Sequence, residues 1–370
     1  MGHPFFVLGQ EDEFGAGGIP GLKGETWGTH YLREGRPVPP AGLAHEVSAL
    51  KPVTKRKHHY VPQFLLRNFA SEKRATLYAF DKWESKQFQV AIKDAAAERG
   101  YNSFETDEAS GCAEEYFTQI ETTASPLIQT IVSDRQIPAL SPKGRAALAQ
   151  LGVAQMLRSK NHRAIFDQMG SIVRKLAERE GTPEFKAWVG PADPAGDKQA
   201  LLMHLREDIL RLSPYMVQKE LVLFYSTESH PLLIGDSPLI RTNTFNRSEL
   251  RGTIGLASPG VEIYLPLSPT LVLGFMCPTI GEMMRVLVNK LGKANAKPAS
   301  SYLAALESGA SLALELPNIE FMNSQQIVAS ERFVYSGSND FALVREMLES
   351  EPAHRHGRRI TTNQGSFEEG

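Results

Sequence analysis

The sequence predicts an α+β fold, a mostly antiparallel sheet packed with a helical subdomain between disordered N- and C-terminal tails. Three observations carry this. Short β-favouring runs come first, helical periodicity then dominates from about 112 to 219, and branched and aromatic runs return from about 220 to 336. Strands and helices in separate blocks argue against a strictly alternating parallel fold. Gly and Pro crowd the chain ends, where GAGGIPGLKG spans Gly15 to Gly24 and GRPVPPAG spans Gly35 to Gly42. The resulting division is a tail over 1–52, one folded unit over 53–348 and a second tail over 349–370.

Within the folded unit, TLYAF (Thr76 to Phe80) and FQVAI (Phe88 to Ile92) read as a hairpin joined by the polar stretch Asp81 to Gln87. From Cys112 to Val132, Ala113, Tyr116, Phe117, Ile120, Ala124, Leu127, Ile128 and Ile131 recur at offsets of three and four, so they share one helix face. Ser141-Pro142 is a cap followed by Pro at the first helical position. The helix it opens is expected to run through Met169 to about Glu180, with a kink at Gly170. Asp197 to Leu212 is a further helix, broken at Pro214. ELVLFY, PLLI, VEIYL and TLVLGF between Glu220 and Phe275 are strands punctuated by Gly, Pro and Ser. Ser300 to Leu316 returns to helix, and RFVYS (Arg332 to Ser336) is a late strand.

Composition excludes several classes. With 42% hydrophobic and 22% charged residues the chain is not disordered throughout. Its apolar runs are too short to span a bilayer, so no membrane partner is expected. Forty Lys and Arg against 42 Asp and Glu give a formal charge of -2, unlike a polybasic protein. Two cysteines, Cys112 and Cys277, build neither a disulfide framework nor a four-cysteine zinc site, and a reducing cytoplasm fits best. There is no Walker loop, no Gly-x-Gly-x-x-Gly after a strand, no His-Glu-x-x-His and no Gly-x-Ser-x-Gly elbow.

The candidate chemistry concentrates in four places. KRKHHYVPQFLLRNFA (Lys55 to Ala70) sets three cations before His58 and His59. Adjacent side chains on a strand point to opposite faces, so one of the two histidines is a candidate ligand or general base, and packing of His59 against the following segment is the structural alternative. Glu114 and Glu121, seven residues apart, project from one side of their helix, and Glu121 either snorkels or turns toward a cation. Gln155, Ser159 and His162 fall within the apolar face of the next helix, with Arg158 at its edge. Such groups need partners, supplied by a site or by a structural network. Asp236, at the end of an apolar strand before Ser237-Pro238, is a candidate metal ligand or base, or an Asx turn. Glu262 in VEIYL is expected on a solvent-facing side of the sheet. Two consecutive helices joined by a short connection pack as antiparallel neighbours, which places Glu121 beside Arg158 or His162. His59 and Asp236 are expected near that cluster.

These segments also resemble a known family. KRKHHYVPQFLLRNFA is similar to the opening motif of the microbial family labelled domain of unknown function 4238. LYAFDK (Leu77 to Lys82), EEYFTQIETTASP (Glu114 to Pro126), QMLRSKNHR (Gln155 to Arg163), GDSP (Gly235 to Pro238), EIYLPLSP (Glu262 to Pro269) and the stretch from Asn323 to Ser336 match its later elements in order. Gly235 stands where that family usually has Ser. The resemblance covers about Lys55 to Ser336. It implies that these elements belong together and supplies no reaction.

Two readings remain open. One is a metal-assisted or acid–base hydrolase acting on nucleic acid, with His59, Glu121, Asp236, Arg158 and His162 as catalytic candidates and a divalent ion as a candidate cofactor. His58, Gln63, Gln155, Ser159 and Asn323 are its candidate binding residues. The other is a non-catalytic ligand-binding or regulatory protein whose polar cluster is structural. For the N-terminal tail the expectation is direct: a Gly/Pro-rich segment buries little apolar surface, so deleting residues up to about Val53 leaves the thermal midpoint nearly unchanged. A calorimetric drop of many degrees would show that the segment docks on the folded unit.

Overall fold

The chain is described here by a computed structural model, which covers residues 57–70, 75–107, 109–245 and 253–360. Strand β1 (Lys57–His59) and helix α1 (Gln63–Phe69) lead into the expected hairpin, β2 (Thr76–Asp81) and β3 (Lys86–Ala91). β4 (Ala97–Arg99) pairs antiparallel with β1, and β5 (Ser103–Glu105) with β6 (Ser110–Cys112). The helical block is α2 (Glu114–Asp134), α3 (Pro142–Leu157), α4 (Lys160–Glu180), α5 (Pro183–Val189) and α6 (Pro194–Val217). The second strand block is β7 (Glu220–Tyr225), β8 (Ile234–Gly235), β9 (Ile240–Thr242), β10 (Glu262–Ser268) and β11 (Leu271–Met276). Then follow α7 (Pro278–Leu291), α8 (Lys297–Ser308), β12 (Leu312–Ala313), α9 (Leu316–Ala329), β13 (Phe333–Ser336) and α10 (Ala342–Ser350).

Two sheets organise these strands. The larger has the order β12-β7-β11-β10-β9 and is antiparallel except where β12 joins β7. The other, β3-β2-β13-β8, is antiparallel throughout, and inserts the late strand β13 between the early β2 and β8. The α+β expectation holds. A single large core cluster joins the helical block to the larger sheet. α3 lies at its centre and, except at Gln150, is buried from Ala147 to Leu157. Gly152 makes that position possible, because a Cβ there would meet the Met216 methyl of α6 at 2.8 Å and the Phe275 ring of β11 at 3.7 Å.

The structure corrects the sequence reading in five places. The helix expected from 142 to 180 is two helices, because Ser159 is extended and its side chain accepts a hydrogen bond from His162 N. Gly170 lies inside α4, and Pro214 inside α6. The segment expected as one helix to Leu316 ends at Ser308, and α9 begins at Leu316. Asn318, Asn323 and Gln326 are buried on α9, which blurs its apolar period. Glu262 is fully buried instead of solvent-facing. Every residue of β10 is buried, so the strand has no wet face. Thr244 N and Oγ1 donate to Glu262 at 2.9 and 2.7 Å, and Tyr264 Oη donates to it at 3.1 Å.

The fifth correction is at the C-terminal end. Residues 352–360 pack on the folded unit, although they carry no apolar period, because polar contacts hold them. Asn161 Nδ2 donates to Arg358 O at 2.9 Å, Ile360 N and O both bond the Gln168 amide, and Arg359 pairs with Glu331 at 2.6 Å. The N-terminal tail expected over 1–52, residues 53–56 and residues 361–370 lie outside the described residues.

A buried polar knot ties α9 to β13. The fully buried Lys82 donates to the carbonyls of Ile327, Ser330 and His354 at 2.5–2.7 Å. Burial pulls its pKa down to about 8. Asp236 accepts from the backbone N–H groups of Glu331, Arg332 and Phe333 at 2.7–2.8 Å. Just before it, a Cβ at Gly235 would lie 2.0 Å from Ser330 Oγ. Ser330 thus fills the space that a Ser at 235 would occupy. Gly235→Ser is expected to destabilise by about 1–3 kcal/mol through overpacking. Adding Ser330→Ala should recover most of that loss. A denaturant double-mutant cycle measures the coupling, and strict additivity would refute the account.

Candidate functional site

A polar cleft of about 310 Å³ opens between α1 and α2. His59, Gln63, Phe64 and Arg67 line one wall, and Glu114, Thr118, Glu121, Thr122 and Ser125 the other. Apart from the adjacent Glu121 and Thr122, the second set recurs every three or four residues, which brings it to one face of α2. On β1 the adjacent histidines diverge as strand geometry requires. His58 is buried, accepts from Asn102 N at 3.0 Å and lies 3.9 Å from Cys112 Sγ. His59 turns to the cleft.

Arg158 holds the cleft from behind. It is 2% exposed, and its guanidinium donates to Glu121 Oε1 at 2.6 Å and to Gln155 Oε1 at 3.1 and 3.3 Å. It also lies over the Phe117 ring, 4.9 Å from the centroid. Gln155 in turn donates to Tyr60 O at 2.8 Å, so α3 is tied to the segment carrying His59. The chain Glu121–Arg158–Gln155–Tyr60 joins α2, α3 and the start of α1.

Burial holds the His59 imidazole below its ordinary range, against the Ile92 carbonyl and the fields of Glu114 and Glu121, which act upward. Its Nε2 is buried with no hydrogen-bond partner among the described residues. Gln63 Nε2 lies 3.5 Å from its Nδ1, too far to fix the tautomer. Burial pushes the Glu114 carboxyl upward, opposed by the hydrogen bond it accepts from Asn102 Nδ2 at 2.7 Å and by the charges of Arg158 and His59. Among the described residues, no group of three or more His, Cys, Asp or Glu is arranged to hold a metal ion. No described helix is long and apolar enough to cross a membrane.

The structure thus brings together His59, Gln63, Gln155, Arg158 and Glu121. The other sequence candidates are placed elsewhere. Asp236 does not line the cleft, and its oxygens are occupied by the backbone of 331–333. Ser159 caps α4. Asn323 accepts from Leu233 N at 2.8 Å and donates to Pro231 O at 3.0 Å, which pins the approach to β8. Glu121 meets Arg158 and not His162, whose ring starts the next helix beyond the Ser159 cap. Arg67, Glu114, Thr118, Thr122 and Ser125 were not among the expected site residues. The Glu114–Glu121 spacing was the signal for one of them, and Gln63 to Arg67 at i,i+4, joined by a 3.3 Å hydrogen bond, for another.

Comparison with known proteins gives a single family. The model of the family described as "Protein of unknown function (DUF4238)" matches residues 57–340. The chain belongs to this family. No curated protein and no solved structure matches. The match spans both walls of the cleft, α3 and the Lys82–Asp236 knot.

His162 supplies a pH test of this geometry. Burial first, then the charges of Arg241 and Arg163, lowers its pKa to about 4. A folded-state pKa below the unfolded 6.5 means that the unfolded chain binds the proton first. Stability from this group is therefore present above pH 6.5 and is lost as pH falls toward 4, by up to about 3 kcal/mol. In His162→Gln the thermal midpoint should fall less steeply over that window than in the unaltered chain. Parallel pH curves for the two proteins would rule the burial effect out.

Proposed function

We propose that this protein is an acid–base hydrolase whose site is the cleft between α1 and α2. One observation carries the reading: His59 and Glu114 share a cleft and are biased in opposite directions. The imidazole is held toward its neutral form and the carboxyl toward its protonated form. Such a divergence sorts groups into proton acceptor and proton donor. His59 takes the proton of an attacking water at Nδ1, the ring nitrogen on the side of the cleft-lining Gln63, and Glu114 protonates the leaving group. Arg158 is the positioning residue that holds Glu121 at the cleft wall. Arg67 is the cation available to an anionic group of the substrate.

The substrate is a polar molecule, and the lining favours a small one over a long polyanion. Arg158 and Glu121 neutralise each other, which leaves Glu114 and the single cation Arg67 in the lining. Of the cations ahead of the paired histidines, Lys57 is bonded to Asp94. One cation is little counter-charge for a long polyanion, whose binding draws on many phosphate contacts. The two free cysteines, Cys112 and Cys277, are both buried, which supports a reducing, cytoplasmic setting.

The test is a hydrolysis panel on the purified full chain. Chromogenic esters, glycosides and phosphate esters are run beside labelled RNA and DNA, with and without Mg²⁺, Mn²⁺ or Zn²⁺. Turnover is expected in a small-substrate arm, and His59→Gln should lower it by about 10²–10⁴-fold with the fold intact. Glu114→Gln should remove the alkaline limb of the pH–rate profile. Turnover unaffected by His59→Gln would dismiss the assignment. Saturable binding without turnover in every arm would favour the ligand-binding reading of the same cleft.

A further inference from the structure

A second, larger cleft of about 570 Å³ lies on the other side of Tyr101, between the first turns of α4 and α6. Its polar lining includes Lys160, Arg163, Arg174 and Lys198 together with Glu98, Asp167, Asp197 and Glu331. The two signs balance in number but not in pairing. Lys160 bonds Glu98, Arg174 bonds Asp197 at 3.4 Å, and Glu331 is taken by Arg359 at 2.6 Å. Arg163 and Lys198 bond only neutral oxygens. Arg163 donates to Tyr101 O at 2.5 Å and Asn102 Oδ1 at 3.0 Å, and Lys198 donates to Gly100 O at 2.8 Å. Against these two cations only Asp167 remains.

Arg163 is also incompletely satisfied. Its Nε is buried and has no hydrogen-bond partner among the described residues. Its guanidinium carbon lies over the Tyr101 ring, 3.2 Å from the centroid, and Lys160 Nζ lies 5.0 Å from the same centroid. Burial and the neighbouring charges of Arg163 and Lys160 press the Lys198 ammonium to lose its proton. Arg163 and Lys160 share one ring and Lys198 lies within the field of both, so a bound anion relieves the repulsion among them. Both flanking helices present their N-terminal turns, whose partial charge has the same sign. Phe166, Pro194 and Leu201 complete the lining with apolar surface.

We propose that this cleft binds a phosphate monoester carried on an apolar or aromatic body. Arg163, Lys198 and Lys160 receive the phosphate, and Phe166 with Leu201 receives the body. Asp167, on the same wall, selects against a second anionic group. The site is separate from the cleft of His59 and needs no catalytic step there.

Calorimetric titration of the full chain with phenyl phosphate, inorganic phosphate and phenol tests the assignment. Phenyl phosphate should bind, with inorganic phosphate at least about tenfold weaker and phenol without saturation, because both halves of the ligand contribute. Lys198→Met should weaken phenyl phosphate at least about tenfold, in line with the loss of a charge-assisted contact. Arg163→Gln should do the same, and its thermal midpoint checks that the Tyr101 stack is not the cause. Asp167→Asn should tighten binding a few-fold by removing the opposing charge. His59→Gln should bind as the unaltered chain does. Absence of saturation by phenyl phosphate at millimolar concentration would overturn the proposal. So would unchanged affinity in a folded Lys198→Met, or loss of binding in His59→Gln, which would place the ligand in the first cleft.

Discussion

A guanidinium with 2% exposure is the constraint on which the site depends. Arg158 cannot reach water, so its donors must be met inside the protein or the cost of burying the charge goes uncompensated. Glu121 on α2 and Gln155 on its own helix meet them, and the Phe117 face covers the cation. Because Gln155 spends its amide on Tyr60 O, the same network fixes the chain just after His59. The wall of the cleft is therefore set from the core outward. Removing either Glu121 or Gln155 leaves a buried cation short of acceptors, which costs more than the pair contributes when intact. That asymmetry keeps α1, α2 and α3 in one arrangement.

The second knot, Lys82 with Asp236, solves a different problem. α9 ends inside the protein, where its last carbonyls would be left unsatisfied. Lys82 answers them from the β2–β3 hairpin, nearly 250 residues earlier, and Asp236 answers the amides that begin β13. The early hairpin and the late strand then share a sheet because the same two side chains close the turn between α9 and β13. Burial favours the uncharged form of each group; the charges of Asp236 and Glu331 oppose that at Lys82, and three backbone bonds oppose it at Asp236. An Asp at the end of an apolar strand looks the same in sequence whether it faces a substrate or a set of amides. Only the position of residues 331–333, almost a hundred places on, decides it.

Much of the fold is legible in local pattern. The hairpin, the face of α2, the Ser141-Pro142 start of α3 and the strands β7, β10 and β11 all announce themselves by period and by caps. What failed did so for identifiable reasons. Glu262 looked solvent-facing because alternation assumes one wet face, and β10 has none. α9 was overlooked because Asn318, Asn323 and Gln326 are spent inside on backbone and side-chain contacts or simply buried there. Residues 352–360 read as a tail because their attachment is polar and leaves no apolar trace. Of the cleft, the α2 carboxylates and Arg158 were visible as misplaced polar groups on helices. Asp236 was visible too, and its environment was not.

The break at Ser159 shows how one residue can redistribute a site. Read as a single helix, Gln155, Ser159 and His162 form one polar stripe and imply one centre. Ser159 instead ends α3 and caps α4, and the stripe divides at that point. Gln155 and Arg158, before the break, turn toward α2 and the first cleft. Lys160 and Arg163, after it, sit in the opening turn of a new helix and face Tyr101 and the second cleft. Tyr101 stands between the two, with its hydroxyl donating to Arg158 O at 2.9 Å and its ring under Arg163. The Ser159 cap thus lets Arg158 turn to Glu121 and Lys160 to Glu98. That accounts for two polar clefts where the helical period alone suggests one.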